Sequence, residues 1–342
     1  MMDEYVVKLL PRSGMEGGFP SDTLFGAFSW AIRDLYGEQR LCEILDTFNL
    51  NPLFLLSSAF PFKEYGKQTR YYVPKPIYPP LTDSEIRRIA DENTHRIKTR
   101  RYHSSKLNWI KTAEKYKHYR KIELISLDML RVIADEGLSG EEILFQQYLS
   151  GTITDPSWKK AEGVQKNSLD RLSMSTSGAG NTFYNEESFL AGSFGLYFLL
   201  KSDAFSFIEP ILMFLEDSGI GTNTRTGKNH FKIIWGKIEV TNNTPGNSFV
   251  SLSRYFQNNP FDISKSFYET VFIRSKVHSR EEFHSEDVWK DAVIYFKEGS
   301  IITPKEKTDR FGGIYPVKSI QGKTIYQYGF AYPFWGKFAQ GV

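Results

Sequence analysis

The chain holds a single cysteine, Cys42, so neither an intrachain disulfide nor a cysteine-built metal cluster can form. Such scarcity fits a reducing compartment, and the expected location is cytoplasmic. Flanked by Leu41, Ile44 and Leu45, the thiol is expected in the core. Long apolar runs are missing as well. The most apolar segment, Phe194 to Leu200, is far too short to span a bilayer, and Asp3 and Glu4 stand where a signal peptide carries positive charge. A soluble chain with no membrane partner is expected. A charge excess of either sign is also lacking: 43 Lys and Arg against 40 Asp and Glu leave a net charge of +3, so the distribution of charge decides, not its sum. Finally, no H-E-x-x-H, G-x-S-x-G, paired-carboxylate motif or polymerase-type acidic cluster is present. No catalytic residue, metal site or cofactor is assigned.

What the chain does have is length, aromatic rings and glycine-rich loops. At 342 residues it exceeds the usual single domain, and two are expected. Aromatics reach 15%, with 27 Phe and 19 Tyr, enough for rings that face a ligand as well as the core. The most informative stretch runs from Gly219 to Phe231, between a segment of helical spacing, Phe205 to Leu215, and a strand-like run, Phe231 to Val240. Gly219, Gly221 and Gly227 let backbone N–H groups turn toward a ligand, while Arg225, Lys228 and His230 add donors and charge: the signature of an anion cradle. For Gly219 alone, capping the helix is the favoured role.

A P-loop is excluded by spacing and order. Five residues separate Gly221 from Gly227, Asn229 follows Lys228, and the loop leaves a helix and enters a strand, the reverse of a phosphate-binding strand, loop and helix. A phosphodiester backbone fits better, since it needs several soft contacts and no metal-binding hydroxyl. The rival reading is a metal-independent endoribonuclease with His230 as general base beside Lys228 and Arg225. A lone histidine entering a strand is more often structural or a phosphate donor than catalytic.

Elsewhere, Tyr5 to Leu10 reads as a strand, and Arg12 to Pro20 as a loop holding Gly14, Gly17 and Gly18. Ser21-Asp22-Thr23 then supplies helix N-caps, and Leu24, Phe28, Ala31, Ile32 and Leu35 share one helical face up to Gly37. Residues 87 to 121 carry twelve Lys and Arg against Asp91, Glu92 and Glu114, with Tyr102, Trp109, Tyr116 and Tyr119 interleaved. That composition suits phosphate and base contact or a solvated charged excursion, and alone does not choose. Lys166 to Tyr184 reads as a long hairpin, and the chain beyond Pro245 as mostly β.

Six motifs recur in order: Phe19 to Ala27, Tyr72 to Pro76, Lys166 to Arg171, Gly195 to Phe198, Gly219 to Phe231, and Tyr328-Gly329-Phe330. Together they resemble the RAMP superfamily of CRISPR-associated proteins, and within it the fourth subunit of the type III-A (Csm) effector complex. The resemblance covers nearly the whole chain. It implies an α+β fold of two ferredoxin-like, RRM-related units, 1–200 and 201–342. The first would carry the basic insertion and a thumb hairpin at about 166–185, the second the glycine-rich loop 219–231. It implies a non-catalytic, RNA-binding subunit for antiviral defence. Such a subunit caps the crRNA 5′ handle and docks on the large polymerase-like subunit and a neighbouring backbone RAMP subunit, with target RNA near the thumb. RNA contacts then fall on Gly18, Ser21, Lys166, Asn167, Arg171, Gly219, Gly221, Thr222, Arg225, Gly227, Lys228, Asn229 and His230. The loop is richer in Thr and Asn than the family's, with Thr222, Asn223, Thr224 and Thr226 standing where glycine is usual; hydroxyl and amide groups can replace backbone N–H donors.

Overall fold

The structure, a computed structural model, describes residues 2–96, 105–167, 182–238, 240, 246–277, 289–320 and 322–339. It divides into two units, Met1–Thr69 with Ser157–Ile238, and Arg70–Pro156 with Glu239–Val342. The chain opens with β1 (Asp3–Pro11), α1 (Ser21–Tyr36), α2 (Glu38–Thr47), β2 (Leu55–Leu56) and β3 (Phe60–Tyr65). Next come β4 (Gln68–Pro74), α3 (Asp83–Arg96), α4 (Ser105–Arg120), β5 (Leu124–Ser126), α5 (Leu127–Ile133) and α6 (Gly140–Leu149). It returns to the first unit through β6 (Lys159–Asn167), β7 (Thr182–Leu190), β8 (Phe194–Ser202), α7 (Phe205–Ser218) and β9 (Phe231–Lys237). The remainder is β10 (Ser248–Ser251), β11 (Thr270–Ile273), β12 (Val293–Phe296), β13 (Ile301–Ile302), β14 (Ile314–Ile320), β15 (Lys323–Tyr328) and β16 (Pro333–Gly336).

In the first unit the strands lie in the order β3, β8, β1, β9, each pair antiparallel, with β2 also on β8. The central strand β1 pairs Tyr5 with Leu200 on one side and with Lys237 on the other. Its neighbour β8 is buried along nearly its whole length, as expected for an interior strand with few polar residues. Helix α1 buries Leu24, Phe28, Ala31 and Ile32, and Phe28 meets Phe198 of β8 at 6.1 Å between ring centroids. Each buried Leu, Ile or Phe stabilises this contact by about 1.5–3 kcal/mol. Leu35, expected on the same face, is 41% exposed in the last turn. The N-cap residue of α1 is Pro20, which has no side-chain acceptor. The Pro20 carbonyl accepts from the N–H groups of Thr23 and Leu24 instead. The helix stops at Gly37, whose φ of 89° is readily reached only by glycine. Helix α7 stops likewise at Gly219, φ 80°, whose N–H returns to the Leu215 carbonyl.

The unit boundary and the burial of Cys42 differ from expectation. The break at residue 200 is displaced, because β9 pairs with β1 from Tyr5↔Lys237 to Pro11↔Phe231 and carries α7 and the glycine-rich loop into the first unit. The chain beyond Ser248, expected as mostly β, forms among the described residues the sheet β13-β10-β16 and the ribbons β11-β12 and β14-β15. Cys42 is exposed, since α2 is short and fully buries only Ile44. No helix among the described residues is long and apolar enough to cross a membrane.

In the second unit the basic stretch 87–121 proves to be helical, falling largely on α3 and α4; residues 97–104 lie outside the described residues. Helix α4 is anchored by Tyr116 and Tyr119, whose phenols both donate to the buried carboxylate of Glu141 on α6 at 2.9 Å. Burial pushes Glu141 above its ordinary value of 4.5, against the pull of Lys75 and the two phenols. The folded chain therefore holds this proton at a pH where the unfolded chain has released it, and stability from this group falls as pH rises above 4.5. Glu141→Gln is expected to flatten that fall as pH rises from 4.5 in urea titrations; an unchanged pH slope counts against a protonation-linked anchor.

Candidate nucleic-acid interface

Two loops meet in the first unit, residues 12–20 after β1 and residues 219–230 between α7 and β9, and Asn229 joins them. Its side chain is fully buried. The Oδ1 atom accepts from the Glu16 N–H at 2.9 Å, and Nδ2 donates to the carbonyls of Glu16 at 3.1 Å and Thr222 at 2.9 Å. The Asn229 N–H donates to the Gly14 carbonyl at 3.1 Å. The residue sits at φ 59°, a left-handed conformation that asparagine tolerates better than most. His230 extends the junction: its N–H donates to Ser13 Oγ at 3.0 Å, and its carbonyl accepts from the Arg12 N–H at 2.8 Å.

Within the second loop the backbone closes on itself. Ile220 donates to the Asn229 carbonyl, and a single 3-10 turn at Thr224–Thr226 is closed by Thr226 and Lys228 N–H groups on Asn223 and by Gly227 N–H on Thr224. Gly219 has no room for a side chain, as a Cβ would lie 2.8 Å from Thr224 Cγ2. Gly227, at φ 78°, ends the turn. The His230 ring Nε2 lies 3.0 Å from the Thr224 carbonyl, inside the loop. Gly219, Gly227, Asn229 and the His230 ring thus shape the loop.

The lysines expected to grip phosphate are engaged by carboxylates. Strands β6 and β7 pair from Lys159↔Leu190 to Asn167↔Thr182, a hairpin stem longer than the expected 166–185; residues 168–181, including Arg171, lie outside the described residues. One face of this stem presents Lys166, Asn185 and Glu187 to the loops. Lys166 Nζ lies 2.8 Å from Glu16 Oε1 and 3.5 Å from Glu187 Oε1, and Lys228 pairs with the other oxygen of Glu187. Glu187 is 1% exposed, and Asn185 and Asn223 also donate to Glu16. Hydrogen bonding from Lys166 leads in holding Glu16 below its ordinary 4.5, against desolvation. That contribution is complete above pH 4.5 and is lost as pH falls through the depressed value. Two lysines and two carboxylates form a neutral clamp between hairpin and loops.

What remains open to a ligand is mostly backbone. The N–H groups of Gly17, Gly18, Gly221 and Thr222 donate to no acceptor among the described residues. A Cβ at Gly221 would stand 3.6 Å from Phe19 and 3.7 Å from Thr23, which places this bend beside the start of α1. Arg225 is exposed with no ion-pair partner among the described residues. Ser21 is fully buried, and its N–H is taken by Ser58 Oγ at 3.0 Å; Asn167 is exposed in the stem. Glu16, Glu187, Ser13 and Asn185 had no local signal in the sequence beyond the alternation that turns Asn185 and Glu187 to one face. Among the described residues, no group of three or more His, Cys, Asp or Glu side chains could hold a metal ion.

No protein-family model matches the chain. The CRISPR system Cms protein Csm4 of Thermococcus onnurineus (strain NA1) is 25% identical over 257 residues, which cover 72% of this chain and 73% of that protein. A crystal structure of a Csm1-Csm4 cassette in complex with cA4 is similar at a TM-score of 0.58 and 19% identity, covering 99% of this chain and 100% of the other. The Csm3-Csm4 subcomplex of the type III-A CRISPR-Cas interference complex is similar at a TM-score of 0.53 and 17% identity, covering 94% and 98%. The resemblance carried by the six motifs is borne out: the sequence relative is a Csm4 protein, and both solved structures are of complexes that contain one.

Proposed function

We propose that this chain is a Csm4-type RAMP subunit of a type III-A CRISPR effector complex, and that it holds the crRNA 5′ handle on the two joined loops of its first unit. The observation that carries the reading is the pair of loops locked by Asn229, with free N–H groups at Gly17, Gly18, Gly221 and Thr222 on a surface that also presents Arg225. Backbone donors of this kind bind phosphate oxygens and fix register without reading bases. The first unit, with β-α-β-β-α-β order and β1 between β8 and β9, supports the ferredoxin-like, RRM-related assignment. The stem of β6 and β7 supports the thumb, with Phe183 and Tyr184 exposed toward its tip for contact at the edge of the guide–target duplex. On this reading the chain is a cytoplasmic, non-cutting scaffold beside the large polymerase-like subunit and a backbone RAMP subunit, and His230 shapes the loop.

The clamp separates the two cations of the loop. Arg225→Ala is expected to weaken binding of handle RNA about 3- to 10-fold, the loss of one charge-assisted contact, and to lower the salt slope by about 0.7. Lys228→Ala is expected to leave the salt slope unchanged and to lower the urea midpoint, because it leaves the buried Glu187 with only the longer contact to Lys166. The reverse pattern in anisotropy titrations would refute this assignment. Incubating repeat RNA with the protein in EDTA is expected to leave it intact. Product that disappears in His230→Ala would replace the scaffold with an endoribonuclease.

A further inference from the structure

With the loop lysines taken up internally, the unpaired cations of the second unit become conspicuous. Helix α4 has one buried side, fixed by the Tyr116 and Tyr119 phenols on Glu141 and by their rings on Phe145, with centroids 5.0 and 5.4 Å apart. At helical spacing, that anchorage turns Ile110, Glu114 and His118 outward, with Lys111 and Lys115, one turn apart, on one exposed flank and Lys117, with Lys121 just past the helix end, on the other. All four are exposed, and none has an ion-pair partner among the described residues. The only carboxylate on α4 is Glu114. Two cations of α3 are placed differently: Arg88 is tied to Glu92 at 3.0 Å and to Glu142, and the Arg87 guanidinium lies 4.7 Å over the Trp109 ring.

We infer that the exposed face of α4 is a second nucleic-acid surface, which takes the phosphodiester backbone of a single-stranded RNA without regard to sequence. The inference rests on the RNA-binding reading of the chain. From Lys111 to the end of the helix beside Lys121 the lysines run in two rows over about 14 Å, an extended array rather than a point site. Lysine presents a compact charge without the fork that reads carboxylates or base edges in two places, so the array suits repeated phosphates. A protein partner fits less well: interface cores are depleted in Lys and enriched in apolar side chains, and among the described side chains of α4 Ile110 is the one large apolar group exposed. Because the clamp neutralises Lys166 and Lys228, the salt-sensitive share of RNA affinity falls to Arg225 and to α4.

The test compares the full chain with its Lys111→Gln, Lys115→Gln, Lys117→Gln, Lys121→Gln variant. A labelled 20-nucleotide RNA of mixed sequence is titrated by fluorescence anisotropy across a salt series. The expected result is at least 10-fold weaker binding at low salt and a log–log salt slope shallower by about 2 to 3, since each phosphate contact contributes about 0.7 on single strands. The same loss is expected on a second, unrelated sequence. An unchanged slope in a variant that keeps its urea midpoint overturns the α4 surface alone, whereas failure of the unsubstituted chain to bind RNA overturns the handle reading with it. A variant that keeps RNA binding and loses binding to poly-glutamate assigns the face to an acidic protein partner and overturns the inference.

Discussion

Replacing Asn229 with Ala is expected to destabilise the first unit by about 3–4 kcal/mol and to abolish retention of handle RNA. The figure has two parts. Three side-chain hydrogen bonds, to the N–H and carbonyl of Glu16 and the carbonyl of Thr222, each contribute about 1 kcal/mol, and the partners are left beside a small cavity. Holding Ala at φ 59° adds about 1 kcal/mol. Asn229→Gly separates the parts, because glycine accepts the backbone angle and still loses the bonds. It is expected to recover about 1 kcal/mol of the stability and none of the RNA binding, since binding depends on the two loops being held together. Urea midpoints with anisotropy on the same samples decide: a Gly variant that binds RNA like the unsubstituted chain would show that Asn229 does not organise the loops.

Glu187→Ala is expected to cost about 2–3 kcal/mol. Removing one member of a buried pair commonly costs more, but Lys166 and Lys228 keep 25% and 21% side-chain exposure and can recover some hydration. Replacement of Lys228 by Met in the Glu187→Ala background should restore part of the loss, because Lys228 is then no longer left without its carboxylate while Lys166 keeps Glu16, and a double-mutant cycle measures that coupling. The RNA effect runs the other way. Lys228 freed from the clamp can reach phosphate while Lys166 stays on Glu16, so Glu187→Gln should bind mixed-sequence RNA more tightly, with a salt slope steeper by about 0.7. Tighter binding without a steeper slope would mean that Lys228 stays engaged elsewhere.

The two variants also mark how far the sequence could be read. Gly37 and Gly219 end their helices where local rules place those ends, because a positive φ at the helix stop is a property of one residue and its neighbours. Likewise β1, β8 and α7 stand close to their expected positions, since each carries its own periodicity or apolar run. The six motifs carried the Csm4 likeness through their order alone. By contrast, α3 and α4 were hidden in a segment read only by composition, because charged side chains outnumber the apolar residues that would reveal a helical face.

By itself, then, the sequence determined the loops at residues 12–20 and 219–231 as places where backbone donors could meet a phosphodiester, and it excluded a P-loop by the order of flanking elements. Only the tertiary structure decided which side chains are free to take part. Glu16 lies 150 residues from Lys166, and Glu187 lies 41 residues from Lys228, separations at which no local pattern couples a lysine to its carboxylate. The same holds for the boundary between the units, which depends on β9 pairing with β1. Charge and glycine content are properties of a stretch of chain, whereas an ion pair or a strand register is a property of two distant stretches brought together, and that is why lysines legible as phosphate ligands turn out to be the rivets of the site.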